Sequence, residues 1–159
     1  MPRTRSKTHE AIGLLKDDHA KVKKALKEFE ALDREDTRTA YELAMTVCAD
    51  LKVHTTLEEG IFYPAVREAI QDDDLMNEAA VEHETAKMLI EQLENMQPDD
   101  PNFHATFTVL GEYVVHHMKE EEGEMFPAAG KAELDFDGLA QRMKERREEL
   151  LGEMEKAQA

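Results

Sequence analysis

Apolar residues recur at steps of three and four along most of the chain, which is the pattern of amphipathic α-helices. The first apolar stripe occupies residues 12–32, and Thr8 precedes it as a candidate N-cap. The second stripe follows Thr39, which with Glu42 has the spacing of a capping box, and it predicts a helix that runs to about Ile70. These two segments predict a helical hairpin.

The second half of the chain repeats this pattern. A third helix follows the acidic turn at 71–74 and ends near Pro98. Asp100 followed by Pro101 predicts the start of a fourth helix, because Asp accepts free amide hydrogens and Pro suits the first helical position. A fifth helix over about 136–155 has a thinner apolar stripe, formed by Leu139, Met143, Leu150 and Leu151.

The predicted fold class is all-α. Four amphipathic helices joined by short loops favour an up-down-up-down four-helix bundle over about residues 8–130, with an additional C-terminal helix. Only 7 Gly and 5 Pro disfavour a fold of many short strands. A length of 159 residues suits one domain over 1–159.

Charge and composition narrow the function classes. Asp and Glu number 36 and Lys and Arg 20, so the net charge of -16 opposes nucleic-acid and anionic-membrane partners. No apolar run of 18 residues predicts a membrane span, and the basic N-terminus lacks the apolar segment of a signal peptide. A single cysteine, Cys48, excludes an internal disulfide. A cytoplasmic protein is predicted.

An internal repeat relates the two predicted hairpins. A motif on the second helix recurs 63 residues later on the fourth, and a His/Lys pair on the first helix recurs 64 residues later on the third. The motif residues are His54, Glu58, Glu59, Gly60 and Pro64, matched by His117, Glu121, Glu122, Gly123 and Pro127; the pairs are His19 with Lys23 and His83 with Lys87.

The repeated histidines and glutamates are predicted to face the bundle interior. Residues four apart lie about 40° around a helix from each other, so His54 and Glu58 point the same way, as do His117 and Glu121. All four lie on the apolar stripes of their helices, and the helix lengths place them at nearly the same height as the histidines of the other two helices.

Two buried carboxylates and four imidazoles need a compensating positive charge, because unpaired buried charges lose their hydration. A pair of divalent or trivalent cations supplies it, with each carboxylate able to span both ions. The predicted metal ligands are His19, His54, Glu58, His83, His117 and Glu121. Six side chains leave positions open for a small ligand.

Several neighbouring residues have less direct predicted roles. Glu59 and Glu122 lie about 100° off the ligand stripe, which predicts solvated carboxylates or carboxylates that orient a histidine. Lys23 and Lys87 are expected to pack their stems and reach solvent or a carboxylate. His116 is the reserve ligand.

Two glycines and two tyrosines are the remaining residues with a possible role in or near the site. Gly60 and Gly123 each stand four residues before a proline, where they are expected to ease a kink. Tyr41 and Tyr63 could donate hydrogen bonds near the site, but the sequence places neither hydroxyl there.

The doubled His-x3-Glu motif, with one histidine on each intervening helix, resembles the hemerythrin-like family, also called the HHE cation-binding domain. The resemblance spans nearly all of residues 8–130 and includes the aromatic-proline step at Tyr63 and Pro64. It implies a four-helix bundle around a non-haem di-iron centre held by the six residues above. It also implies dioxygen binding, iron or oxygen sensing, or reaction with peroxide or nitric oxide.

The sequence departs from the oxygen carriers of that family. The carriers have a second histidine four residues after that of the third helix, where this chain has Lys87. They end their ligand set with His-x4-Asp, whereas the spacing here is His117-x3-Glu121 unless His116 takes the role. These differences argue against reversible oxygen carriage.

The resulting prediction is a non-haem di-iron protein that binds or reacts with dioxygen, peroxide or nitric oxide, with or without turnover. Two iron ions are expected, carboxylate-bridged with or without an oxo bridge, and zinc or manganese are alternative occupants. The alternative function is an iron or oxygen sensor, or a metal store, without turnover. A ferritin-like enzyme ranks below both, because the third helix lacks a Glu-x2-His motif in register. The sequence is also compatible with a homodimer.

Overall fold

The computed structural model describes residues 10–158, and nearly all of them are helical. Helix α1 spans Glu10–Ala31 and α3 spans Asp73–Glu94. The two longest helices contain a π-turn. Helix α2 comprises Thr37–Leu57, the π-turn Glu58–Phe62 and Tyr63–Ile70, and α4 comprises Phe103–Glu120, the π-turn Glu121–Met125 and Phe126–Lys131. Helix α5 spans Phe136–Gln158. The predicted all-α fold is confirmed.

The helices form a four-helix bundle with α5 laid against one side. Helices α1 and α2 pack as one hairpin, α3 and α4 pack as the other, and α2 contacts α3 across the bundle. Helix α5 packs against α1 and α2, so it covers the first hairpin. Among the described residues, the helices are too short or too polar for any of them to cross a membrane.

The start of α2 differs from the prediction. The helix begins at Thr37, and Asp36 is its N-cap: Oδ1 accepts a hydrogen bond from the Thr39 amide at 3.1 Å. The predicted capping box of Thr39 and Glu42 is wrong, because the Asp36 carboxylate already satisfies that amide from three residues earlier.

The start of α4 differs as well. The helix begins at Phe103, and Asp100 instead closes a turn before it, with Oδ1 accepting from the Asn102 amide at 2.8 Å. The predicted N-cap at Asp100 is therefore wrong. The predicted cap of α1, Thr8, lies outside the described residues.

The π-turns lie at the repeated Gly-Pro motifs. Pro64 has no amide hydrogen and its ring crowds the carbonyl four residues earlier, at Gly60. The helix absorbs this by widening, and the Tyr63 amide bonds to the Glu58 carbonyl in the i→i+5 pattern. A Cβ at Gly60 would meet no atom within 4 Å, so the proline rather than the glycine dictates the widened turn.

The core consists of two apolar clusters, one toward each end of the bundle. One contains Leu15 and Phe62 and is completed by Met143 of α5. The other contains Val22 and Phe107. Leu151, predicted on the apolar stripe of the last helix, is 46% exposed. The histidine layer lies between the two clusters.

Candidate metal centre

The structure brings the six predicted ligands together in one layer of the bundle. His19, Glu58, His83 and Glu121 are at most 2% exposed, and His54 is 5% exposed. The side chain of His117 is 11% exposed. Each of the four bundle helices contributes at least one of these side chains.

Their ligand atoms form two groups, each with atoms within 4.8 Å of one another. The first group is His19, His54, Glu58 and Glu121, and the second is Glu58, His83, His117 and Glu121. Both carboxylates belong to both groups. Two groups of potential metal ligands therefore lie side by side and have both carboxylates in common.

The distances show how each carboxylate spans the two groups. Glu58 Oε1 lies 2.9 Å from His54 Nε2 and 3.3 Å from His83 Nε2. Glu121 Oε1 lies 3.1 Å from His19 Nε2, and Glu121 Oε2 lies 3.2 Å from His117 Nε2. Each carboxylate thus lies close to one imidazole of the first group and one imidazole of the second.

Many of these buried atoms lack a hydrogen bond. Among the described residues, the buried side-chain atoms without a partner are His19 Nδ1 and Nε2, Glu58 Oε1 and Oε2, His83 Nδ1 and Glu121 Oε1. All of them belong to the six-residue cluster, although several lie close to one another. Because orphaned buried polar atoms are costly, this donor set fits metal ions rather than an internal hydrogen-bond network.

Further carboxylates, outside the six-residue cluster, lie beside the Nδ1 atoms of the imidazoles. The His54 Nδ1–H donates to Asp18 Oδ2 at 2.9 Å, and the His117 Nδ1–H donates to Glu82 Oε1 at 3.1 Å. These bonds direct Nε2 of both rings toward the centre of the bundle. The sequence reasoning missed Asp18 and Glu82, although they directly precede the repeated histidines and share their 64-residue offset.

Glu59 and Glu122 lie near the other two imidazoles. Glu122 Oε1 is 3.7 Å from His19 Nδ1, and Glu59 Oε1 is 3.8 Å from His83 Nδ1. Each carboxylate also pairs with a lysine: Glu122 with Lys23 at 3.4 Å and Glu59 with Lys87 at 2.7 Å. The lysines thus hold these carboxylates beside the histidines.

Tyr63 is an inner-site residue that the sequence did not place. Its hydroxyl donates to Glu121 Oε2 and lies 3.1 Å from His83 Nε2 and 3.2 Å from His117 Nε2. The equivalent residue of the repeat is Phe126, whose ring stacks on His19 at 5.8 Å. The pair His83 and His117 thus has a phenol beside it, whereas His19 has a phenyl ring.

Tyr41 and His116 lie away from the cluster. Tyr41 packs its ring against Phe103 in the apolar cluster near the helix ends. The His116 side chain is 64% exposed and its Nε2 lies 3.0 Å from Glu120 Oε1. It belongs to neither of the two buried groups.

The carboxylates change the proton affinity of the imidazoles. Burial opposes protonation of His54, but Glu58 and Asp18 outweigh it and raise the pKa of His54 to about 10. Burial likewise opposes protonation of His117, while Glu121 and Glu58 raise its pKa to about 9. Burial raises the pKa of Glu58, but the neighbouring His54 holds it well below the usual value. Without metal, protons supply part of the positive charge that the site requires.

A cavity of about 20 Å³ adjoins the cluster. Its lining includes His54, His83 and His117 together with apolar residues such as Val114 and Met118. This volume accommodates one molecule of about the size of water.

Comparisons with known proteins agree with this architecture. The family model described as Hemerythrin HHE cation binding domain matches residues 10–129. A DNA nickase from Nostoc sp. (strain PCC 7120 / SAG 25.82 / UTEX 2576) is 29% identical over 115 residues, covering 72% of this chain and 32% of the nickase. This chain thus spans about a third of the length of that curated relative.

A crystal structure of a Hemerythrin HHE cation binding domain-containing protein from Mycobacterium kansasii has the same fold. It superposes with a TM-score of 0.73 at 21% identity, covering 89% of this chain and 86% of the other. With the matched family model extending over most of the sequence, the chain belongs to the hemerythrin HHE cation-binding domain family.

Proposed function

We propose that the buried cluster holds two iron ions and that the loaded centre reacts with a small oxidant: dioxygen, peroxide or nitric oxide. The observation that carries the proposal is the pair of four-ligand groups that share Glu58 and Glu121. Imidazole and carboxylate donors suit iron, with manganese and zinc as the competing occupants. When bound, an iron pair supplies one-electron or two-electron redox chemistry next to open coordination positions.

The chain's own residues would orient and charge-balance this centre. Glu58 and Glu121 bring two negative charges that offset those of the ions, while Asp18 and Glu82 fix the ring orientation of His54 and His117. The Tyr63 hydroxyl, held by Glu121, is a hydrogen-bond donor next to one metal position. Its one hydrogen goes to Glu121, and burial together with the carboxylates of Glu58 and Glu121 raises the pKa of Tyr63 well above its usual value, so the phenol would hold Glu121 in place rather than protonate a ligand.

The cavity beside the imidazoles supports a small substrate. Its volume of about 20 Å³ admits one molecule of about the size of water, which favours the smallest oxidants. Its largely apolar wall keeps bulk water from the open side of the centre, which protects a reactive site from side reactions.

DNA nicking, the activity in the name of the Nostoc relative, is not part of this proposal. The net charge of -16 repels a phosphate backbone, and the match covers only 32% of that protein.

The test is to load the metal-free protein with ferrous iron in the absence of oxygen and then add dioxygen, peroxide or nitric oxide in a stopped-flow spectrophotometer. We expect two iron ions per chain and absorption bands that form on adding at least one oxidant. Glu121→Gln should lose both results, because it removes a shared carboxylate. Glu124→Gln, an exposed carboxylate of the same π-turn, is the matched control and should retain them.

Two results would contradict the proposal. One is a protein that holds two iron ions but stays colourless and unchanged with every oxidant. The other is protein from iron-supplemented cells that contains zinc alone, which has no redox chemistry.

A further inference from the structure

Besides the Tyr63–Phe126 difference, one ion pair distinguishes the two halves of the site within residues 10–158. Asp18 and Glu82 occupy equivalent places in the repeat, and each accepts a hydrogen bond from the histidine of the following helix. Of these two carboxylates, Asp18 is the one that an arginine also binds in the described part of the chain. Arg147 of α5 donates from Nη1 to Asp18 Oδ1 at 2.9 Å and from Nη2 to Asp18 Oδ2 at 2.7 Å.

The geometry of this ion pair restrains the carboxylate. A guanidinium that binds both oxygens of a carboxylate fixes its plane as well as its position. Asp18 Oδ2 is the same atom that accepts the bond from His54 Nδ1. A chain of contacts therefore runs from α5 through Arg147 and Asp18 to the ring of His54.

The pair is also shielded from solvent. The Asp18 side chain is 16% exposed and the Arg147 side chain 33% exposed, so the interaction is less screened than a surface ion pair. In the part of the chain that the structure describes, no lysine or arginine forms an ion pair with Glu82, whose neighbours are His117 and the His116–Glu120 pair. His117 therefore donates its hydrogen bond to a less restrained carboxylate than His54 does.

We propose that Arg147 is a positioning residue through which α5 sets the metal affinity of the His19–His54 position. The two metal positions are then inequivalent: the His19–His54 position binds metal more tightly, and the His83–His117 position exchanges it more readily. This inference rests on the proposed two-metal centre.

The expected loss of metal affinity on substituting Arg147 can be judged from the effect of other hydrogen bonds to metal-bound histidines. Removing a hydrogen-bonding partner of a metal-bound histidine lowers metal affinity by about 10- to 100-fold. Arg147 acts one contact further out, so the expected loss for Arg147→Gln is about 10-fold at one position and negligible at the other. Arg147→Lys keeps the charge but not the two-pronged bond, so part of the loss should be restored.

The test is a titration of the metal-free protein with Co²⁺, followed by visible absorption and by calorimetry. Wild type should bind two ions in two resolved steps. Arg147→Gln should weaken the tighter step about 10-fold and leave the second step unchanged. Arg146→Gln is the matched control, because Arg146 is the neighbouring residue of α5 and its ion-pair partners among residues 10–158 are Glu149 and Glu153, on the surface.

A second measurement separates positioning from a general loss of structure. In Zn²⁺-loaded protein with ¹⁵N-labelled histidine, Arg147→Gln should shift the Nδ1–H resonance of His54 and leave that of His117 in place. Arg147→Lys serves this measurement as well if the glutamine variant folds poorly.

The outcomes are distinguishable. Two equal Co²⁺ affinities in wild type, or equal weakening of both steps in Arg147→Gln without recovery in Arg147→Lys, would overturn this inference alone. Binding of fewer than two Co²⁺ ions by wild type would overturn the two-metal centre and this inference with it.

Discussion

Replacing Tyr63 with phenylalanine removes one oxygen atom from the most buried part of the site. The Tyr63 hydroxyl donates to Glu121 Oε2 and lies within 3.2 Å of two imidazole nitrogens, and the ring itself is 6% exposed. The substitution preserves the stacking of the ring on His83, so the loss is confined to the hydroxyl.

The stability lost in Tyr63→Phe depends on the charge of Glu121, which accepts the hydrogen bond from the hydroxyl. A hydrogen bond to a charged group contributes about 1.5–3 kcal/mol, and a buried carboxylate that loses its donor is left undersatisfied. For a domain of this size, each kcal/mol lowers Tm by about 2–4 °C, so Tyr63→Phe should lower the Tm of metal-free protein by about 3–12 °C. With metal bound, Glu121 gains a cation as partner, and the loss should be smaller.

The assay is thermal unfolding by circular dichroism, with and without bound metal. Tyr41→Phe is the matched control: its ring packs on Phe103, and within the described residues no hydrogen bond involves its hydroxyl. An unchanged Tm of metal-free Tyr63→Phe, or a fall equal to that of Tyr41→Phe, would refute the claim that the hydroxyl stabilises Glu121.

Three further predictions concern pH, the thiol and the core. In metal-free protein, the raised pKa values of His54 and His117 stabilise the fold fully below pH 6.5, and this contribution is lost as the pH rises through about 9 and 10. The urea midpoint should therefore fall over that range without metal and stay level with metal bound. Cys48 is 2% exposed and burial raises its pKa to about 12, so its alkylation at pH 8 should be about a thousandfold slower than in urea-unfolded protein. Phe107→Ala, in the apolar cluster below the site, should lower the free energy of unfolding by about 3–5 kcal/mol, with the metal content unchanged.

The sequence predicts the bundle and the convergence of the six side chains because both depend on helical periodicity and on the repeat. Positions four apart share a helix face whatever the tertiary details, and the similar numbers of residues that separate His19 and His54 from the turn between them predict nearly the same height for both. The same reasoning could not place Tyr63. Five α-helical residues would rotate it about 140° from Glu58, whereas the i→i+5 bond of the π-turn brings it back toward the same face.

Other residues were missed for different reasons. Asp18 and Glu82 lie next to histidines in sequence, about 100° off the apolar stripe, where acidic residues are usually solvated. Only the neighbouring helices turn them into hydrogen-bond acceptors for His54 and His117. The contact of Arg147 with Asp18 joins residues 129 apart, and it depends on how α5 docks, which no local pattern in the chain encodes.

The central claim is that two similar hairpins hold two metal ions between them. Its most direct test is a crystal structure of iron-loaded protein with anomalous scattering measured at the iron edge. Two anomalous peaks are expected between Glu58 and Glu121, one beside His19 and His54 and the other beside His83 and His117. A single peak, or peaks only at surface carboxylates, would contradict it.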